Sequence, residues 1–373
     1  MGQTFTLTPS RRIRRTPFSD RVERSGVQAY TVYNHMLLPT AFDALEADYH
    51  HLKRHVQVWD VGCQRQIEVR GREAARLLQM LTPRDLRAMM PGRCYYTPMV
   101  DETGGMLNDP VTVKLAEDRY WISIADSDLL LWAKGLAYGF RLDVDITEPD
   151  VSPLAVQGPQ AEELMSRIFG PSVRDIRFFR FSVLPFQGRE LVVARSGYSK
   201  QGGFEIYLEP AELAEPLWDA LMTNGADLQV KAGCPNLIER IEAQLLSYGN
   251  DMTRDNTPHE CGLGRFCDTF MAIGCVGRDA LLRTAMEGPV RQIRSLAIEG
   301  EPVPACLEPW PLYAPGTTTR VGQVTSAAWS PDFSTNVAIG MVQLSHWTGG
   351  TQVEVETPDG GRMATVQSSP FIS

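Results

Sequence analysis

Residues 66 to 146 run in the order strand, helix, two strands, helix, strand, and few folds accept that order. Gln66 to Val69 reads as a strand, and Gly71 to Leu81 as a helix leading into Thr82-Pro83-Arg84-Asp85. Cys94 to Val100 opens a hairpin that turns at Gly104-Gly105 and returns through Val111 to Leu115. Tyr120 to Ala125 is the next strand, Asp126 to Tyr138 a helix and Leu142 to Ile146 the last strand. The order predicts a split βαβ, ferredoxin-like module. Asp109 falls beside the turn, and Pro110 disfavours helical geometry there, so its carboxylate is expected in extended backbone. A plain strand start and a working carboxylate both suit that position.

Around this module the pattern is mixed. Residues 40 to 56 read as a helix with Phe42, Leu45, Tyr49, Leu52 and Val56 on one face. His51 and His55 lie one turn apart, but no further ligand pattern completes a metal site, so an ordinary helix face is the reading. A short strand from Val151 precedes a turn at Gly158-Pro159 and a helix from Gln160 to Phe169. Leu191 to Ala194 and Phe204 to Leu208 then flank Arg195-Ser-Gly-Tyr198-Ser-Lys-Gln-Gly-Gly203, a loop whose glycines permit positive φ and close approach to a ligand, with Glu205 where the second strand begins. A solvated surface hairpin is the alternative. Glu212 to Asn224 is an amphipathic helix, and another is expected from Pro235 to Tyr248, ended by Gly249. On it Arg240 offers a rigid fork of donors, suited to a planar polar ligand or to an ion pair with Glu239 or Glu242.

From Arg291 onward the chain reads as short strands: 296–298, 322–325, 337–342, 352–356 and 362–366. The five prolines between Pro302 and Pro315 mark a loop. An all-β barrel or jellyroll-like cap is expected.

At 373 residues the chain exceeds what one core supports, so two or three domains are expected. A net charge of -9 argues against nucleic-acid or membrane-surface binding and favours a small-molecule partner. Seven scattered cysteines without a CxxC pair suggest reduced thiols and a cytoplasmic setting. The basic N-terminus, with Arg11, Arg12, Arg14 and Arg15, lacks a signal-peptide core, and no window approaches the roughly 20 apolar residues of a membrane span.

The segments Gly104-Gly-Met-Leu-Asn-Asp109, Leu154-Ala-Val-Gln-Gly-Pro159, Ser196 to Glu205, Arg240 to Asp251 and Gly322-Gln-Val-Thr-Ser326 stand in an order that resembles the folate-dependent aminomethyltransferase family, the glycine cleavage T-proteins, over nearly the whole chain. Tyr30 to Pro39, Val56 to Val61, Asp175 to Arg180, Ser199 to Gly203 and Asn250 to Arg254 are similar to one branch, the demethylases of dimethylsulfoniopropionate. Tyr198 stands where that branch resembles Ser-Gly-Trp and the glycine-cleavage enzymes carry Tyr. The following Ser199-Lys-Gln-Gly-Gly departs from the glycine-cleavage run Thr-Gly-Glu-Asp-Gly.

The resemblance implies an α+β, three-domain ring around a funnel that binds tetrahydrofolate. Residues 1–57 and 149–253 would form the folate-binding unit, 58–148 and 254–290 the ferredoxin-like unit, and 291–373 the C-terminal barrel. It implies that Glu205 bonds the pterin edge, that Arg240 and Tyr198 share the folate pocket, and that Asp109 lies at the reacting end as the catalytic carboxylate. The expected reaction moves a methyl group from a sulfonium sulfur to N5 of tetrahydrofolate without a metal. Aromatic candidates for the sulfonium are Tyr95, Tyr96, Tyr198 and Tyr207, with Trp121 more suited to the core. Two rivals are an aminomethyltransferase of glycine cleavage and a non-catalytic folate-binding factor for iron–sulfur assembly, whose Lys-Gly-Cys-Tyr motif is absent here. A homodimer is the family expectation.

Overall fold

A computed structural model describes residues 8 and 10 to 372. Most of the segment from Met1 to Ser10, part of the N-terminus read as lacking a signal-peptide core, therefore lies outside the described residues. No helix among the described residues is long and apolar enough to cross a membrane.

The strands Asp145–Thr147, Gln66–Arg70, Arg119–Ser123 and Val111–Ala116 lie side by side in that spatial order, all antiparallel. Numbered along the chain this is fourth, first, third, second, the order of a ferredoxin-like sheet. Ala74–Leu81 and Leu129–Gly139 are its helices. They bury Leu77, Leu78, Leu81 and Ala133 against Ile67, Val69 and Ile122.

The expected hairpin after Cys94 divides in two. Arg93–Tyr96 adds a fifth strand beside Val111–Ala116, while Met99–Val100 pairs with Met106–Asn108 in a separate ribbon. The break falls at Thr97-Pro98: Thr97 donates its N–H to the Pro110 carbonyl, and Pro98 has no N–H to continue a ladder.

A six-stranded sheet follows the order Phe181–Phe186, Arg189–Ala194, Gly203–Leu208, Ser152–Gln157, Gln57–Asp60 and Lys231–Gly233. Only the last joins in parallel. The helices Ala161–Phe169 and Ala214–Asn224 cover one face with Leu164, Met165, Leu217 and Leu221. The opposite face meets the ferredoxin-like sheet, where Val192, Ala194 and Tyr207 pack on Cys94, Val113 and Trp121. Because both faces are covered, Phe204 to Leu208 is buried at every residue, although apolar Phe204, Ile206 and Leu208 alternate there with Glu205 and Tyr207.

Two helices are shorter than their periodicity suggests. The one expected over 40–56 is Leu45–Arg54, because Met36–Ala41 pairs as a strand with Ala29–Tyr33 and the Asp48 carboxylate accepts the Phe42 N–H at 2.9 Å. The one expected to reach Tyr248 is only Leu237–Glu242. It stops because Gln244 takes φ +51° and Leu245 returns its N–H to the Arg240 carbonyl.

The C-terminal strands close a six-stranded barrel in the order Arg291–Ile298, Thr335–Gln343, Arg320–Ser330, Trp310–Tyr313, Gln352–Thr357 and Gly360–Val366. Trp310–Tyr313 is a strand inside the segment read as a proline loop. Pro311 interrupts its polar side, while Trp310 and Leu312 point into the barrel. A central core joins the three units, with Val100 and Met106, Ile238 and Ile241, and Ile293, Val337 and Ile339 in one cluster.

Candidate functional site

The loop from Arg195 to Gly202 is built around Gln157, a wholly buried side chain of the neighbouring strand. The Gln157 Nε2 donates to the carbonyls of Ser196 at 3.1 Å and Phe204 at 3.4 Å, and its Oε1 accepts from Ser199 Oγ at 2.8 Å. One amide thus holds both ends of the loop and its middle. Glycine is required where the chain passes this amide. A Cβ at Gly197 would lie 2.1 Å from Gln157 Nε2, and one at Gly203, where φ is +152°, would lie 2.2 Å from the Val156 carbonyl oxygen.

Glu205 projects from the strand that leaves this loop. Ser196 Oγ donates to its Oε2, and burial raises the carboxyl above its ordinary range. Its cross-strand neighbours are Ala194 on one side and Ala155 on the other, with Trp59 beyond Ala155. Two of the shortest side chains therefore flank the carboxylate. A carboxylate with one donor partner has acceptor capacity for adjacent N–H groups.

Asp109 follows the strand Met106–Asn108, as the Asp-Pro pair requires. Its Oδ2 accepts the Tyr96 hydroxyl at 2.8 Å, and its buried Oδ1 has no partner. Desolvation lifts this carboxyl to about 7, against the restraining Tyr96 hydrogen bond and with a small further push from Asp251. Burial, and then the Asp109 charge, raise the phenols of Tyr33 and Tyr96 well above normal; burial and Asp109 carry that of Tyr248 to about 12. Tyr198, whose hydroxyl donates to the Leu245 and Leu246 carbonyls at 2.9 Å each, feels the same charge. Tyr33 and Tyr248 were not among the sequence candidates. Their positions, 76 residues before and 139 after Asp109, carry no local signal.

Arg240 is buried, but its partner is neither Glu239 nor Glu242. Its Nη1 meets Asp251 Oδ2 at 2.5 Å and its Nη2 donates to Ser326 Oγ at 2.6 Å. Asp251 Oδ1 in turn accepts from Thr325 Oγ1 and Ser326 Oγ. Glu242 instead accepts from Tyr49 and Ser330.

The remaining aromatics separate. Tyr95 faces away from Tyr96 on the same strand and lies under Arg84, 4.1 Å from its guanidinium carbon to the ring centre. Tyr207 is 1% exposed, packs on Trp121 at 5.8 Å between ring centres, and its hydroxyl has no partner. The structure therefore brings Asp109, Tyr96 and Tyr198 together and leaves Tyr95 and Tyr207 in packing roles. Trp121 is a core residue, 3% exposed, with its Nε1 donating to Glu68. An open cleft of about 660 Å³ on the ferredoxin-like unit, lined by Ala75, Gln79, Met80 and Phe140, contains none of these residues. Among the described residues, no three His, Cys, Asp or Glu side chains gather as a metal site, and His51 spends its Nε2 on the Gln229 carbonyl.

The fold and these motifs have counterparts. Residues 18–270 match the model of the GCVT N-terminal domain, and residues 291–372 that of the glycine cleavage T-protein C-terminal barrel domain, so the chain belongs to the glycine cleavage T-protein family. Within it, the chain is 62% identical over 362 residues to a dimethylsulfoniopropionate demethylase of Ruegeria pomeroyi, covering 97% of this chain and 98% of that one. It is 28% identical to an aminomethyltransferase of Clostridium botulinum over 86% of each chain. The crystal structure of the glycine cleavage system aminomethyltransferase T from Bartonella henselae superposes with a TM-score of 0.85 at 25% identity, covering 96% of this chain and 98% of that one.

Proposed function

We propose that this chain is a tetrahydrofolate-dependent demethylase that transfers a methyl group from dimethylsulfoniopropionate to N5 of tetrahydrofolate, giving methylmercaptopropionate and 5-methyltetrahydrofolate. The observation that carries the reading is the 62% identity to a demethylase of that substrate along practically the full length of both chains. The buried carboxylates fit it. Glu205, with two alanines beside it, suits the adjacent N–H donors of a pterin edge. Asp109, whose Oδ1 has no partner, lies close enough to the phenols of Tyr96 and Tyr33 for its charge to act on them, and phenol faces with a carboxylate suit a sulfonium.

In the proposed step the N5 lone pair attacks the methyl carbon in line as the carbon–sulfur bond breaks. The bonding pair stays on sulfur, which becomes a neutral thioether. The main demand on the protein is alignment, and a sulfonium needs no further activation. Methylated N5 then carries an extra proton. A carboxyl poised near 7, as Asp109 is, takes that proton at neutral pH. Arg240 acts on the pocket mainly by fixing the turn that presents the Leu245 and Leu246 carbonyls to Tyr198. We propose the three units named from the sequence as the ring, with the strand Gln57–Asp60 counted to the first, and a cytoplasmic enzyme of small molecules, in keeping with seven free cysteines. A homodimer remains the proposal for assembly.

The test is to incubate purified protein with tetrahydrofolate and dimethylsulfoniopropionate and separate the folates. Formation of 5-methyltetrahydrofolate is expected. Its absence, or 5,10-methylenetetrahydrofolate formed only with an aminomethyl-lipoyl carrier, overturns the proposal.

A further inference from the structure

Glu239 lies one residue before Arg240 on the short helix Leu237–Glu242 and is wholly buried. Its Oε1 accepts the backbone N–H of Lys200 at 2.6 Å and the Gln201 side-chain Nε2 at 3.3 Å, while its Oε2 is buried without a partner. A carboxyl placed this way is costly for packing alone, because an unpaired buried oxygen forfeits its hydration. What it gains is the loop. Gln157 holds the Arg195–Gly202 loop from the sheet side at Ser196 and Ser199, and the strand just after it at Phe204. Glu239 holds the same loop from the helix side, at Lys200 and Gln201. Between these two grips stands Tyr198, and at the loop's start stands Ser196, the partner of Glu205.

We infer that Glu239 is a positioning residue for the folate site, clamping the Tyr198 loop opposite Gln157 so that Tyr198 and the Ser196–Glu205 pair keep their places. This rests on the function proposed above. Glu239 touches neither substrate in this assignment and acts through the loop. Burial pushes its carboxyl above the ordinary range and the Lys200 N–H counters that push, so the grip depends mainly on an acceptor oxygen at that point, which an amide also supplies.

The experiment compares full-length wild type with E239Q, E239A and E239D for tetrahydrofolate affinity by calorimetry, for KM and kcat, and for cutting by trypsin after Lys200. E239Q keeps the acceptor and is expected to bind within about threefold of wild type, whereas E239A is expected to lose about tenfold or more in tetrahydrofolate affinity and KM, as for a lost charge-assisted hydrogen bond. E239D, one methylene too short to reach Lys200, is expected to resemble E239A and serves if E239A does not fold. Trypsin is expected to cut the E239A and E239D loops faster than those of wild type and E239Q. Equal affinity in wild type and the shortened variants, or an E239Q loss as large as theirs, overturns the inference while the function stands. A wild type that does not bind tetrahydrofolate overturns both.

Discussion

Asp109 is held in a state its own chemistry resists. Desolvation raises its carboxyl from 3.8 to about 7. The folded protein therefore keeps a proton that the unfolded chain releases, and the stability tied to that proton, full below about 3.8, is lost as pH rises through about 7. D109N removes this titration. Thermal melts are expected to show D109N melting above wild type at pH 8, with the gap narrowing steadily towards pH 4. Turnover should move the opposite way: wild-type kcat rises as the carboxylate forms near pH 7, while D109N stays low and flat across the same range. A D109N enzyme that keeps the wild-type pH–rate profile removes Asp109 from the chemistry. Glu205 calls for a different signature. E205Q, which turns one acceptor into a donor facing the N–H groups of a pterin bound as proposed, is expected to weaken tetrahydrofolate binding by about ten- to a hundredfold, with a smaller change in kcat, in titration and steady-state assays.

At the scale of elements, the Arg195–Gly202 loop sets how closely the pocket is built. G203A places a Cβ 2.2 Å from the Val156 carbonyl oxygen at φ +152° and is expected to cost about 1–3 kcal/mol in urea unfolding, with loss of folate binding beyond what that instability explains. This loop also shows what the sequence makes legible. Gly197, Gly202 and Gly203 announce a bend, and Glu205 follows from the motif, because a backbone that must pass another closely tolerates only glycine. The two clamps are silent: Gln157 and Glu239 lie about forty residues to either side of the loop, and nothing local marks a buried amide or acid as a partner of a distant N–H. The same limit explains other differences. Tyr207 was a candidate for the sulfonium as an aromatic close to Glu205, yet a second sheet covers its face. The helix past Glu242 looked continuous because periodicity cannot register the φ of Gln244. Trp310–Tyr313 was hidden by flanking prolines, although its alternating burial is that of any barrel strand. The ferredoxin-like order over 66–147 was readable because each strand and helix carries its own periodicity, although Gln66–Arg70 pairs with the distant strands Arg119–Ser123 and Asp145–Thr147.

In the whole molecule, the Arg240–Asp251 pair is one polar tie between the helix Leu237–Glu242 and the barrel, through Thr325 and Ser326, beside the Glu242–Ser330 bond. D251A leaves a buried guanidinium uncompensated and is expected to destabilise by about 3–5 kcal/mol. Because one apolar cluster spans all three units, calorimetry on the wild type should give a single transition, and on D251A a broader or split one. The strand Gln57–Asp60 adds a matter of timing. Its neighbours are Ser152–Gln157 and Lys231–Gly233, so it has no sheet partner until residues far downstream exist. At ordinary rates of synthesis the wait for the first of them is about 5–20 s. Meanwhile every strand of the ferredoxin-like sheet, Gln66–Arg70 through Asp145–Thr147, has been made and can pair. The nascent chain therefore carries a finished module beside an orphan strand. The ferredoxin-like sheet can thus pair while the chain is still short, whereas the folate pocket waits for Glu205, Arg240 and Asp251.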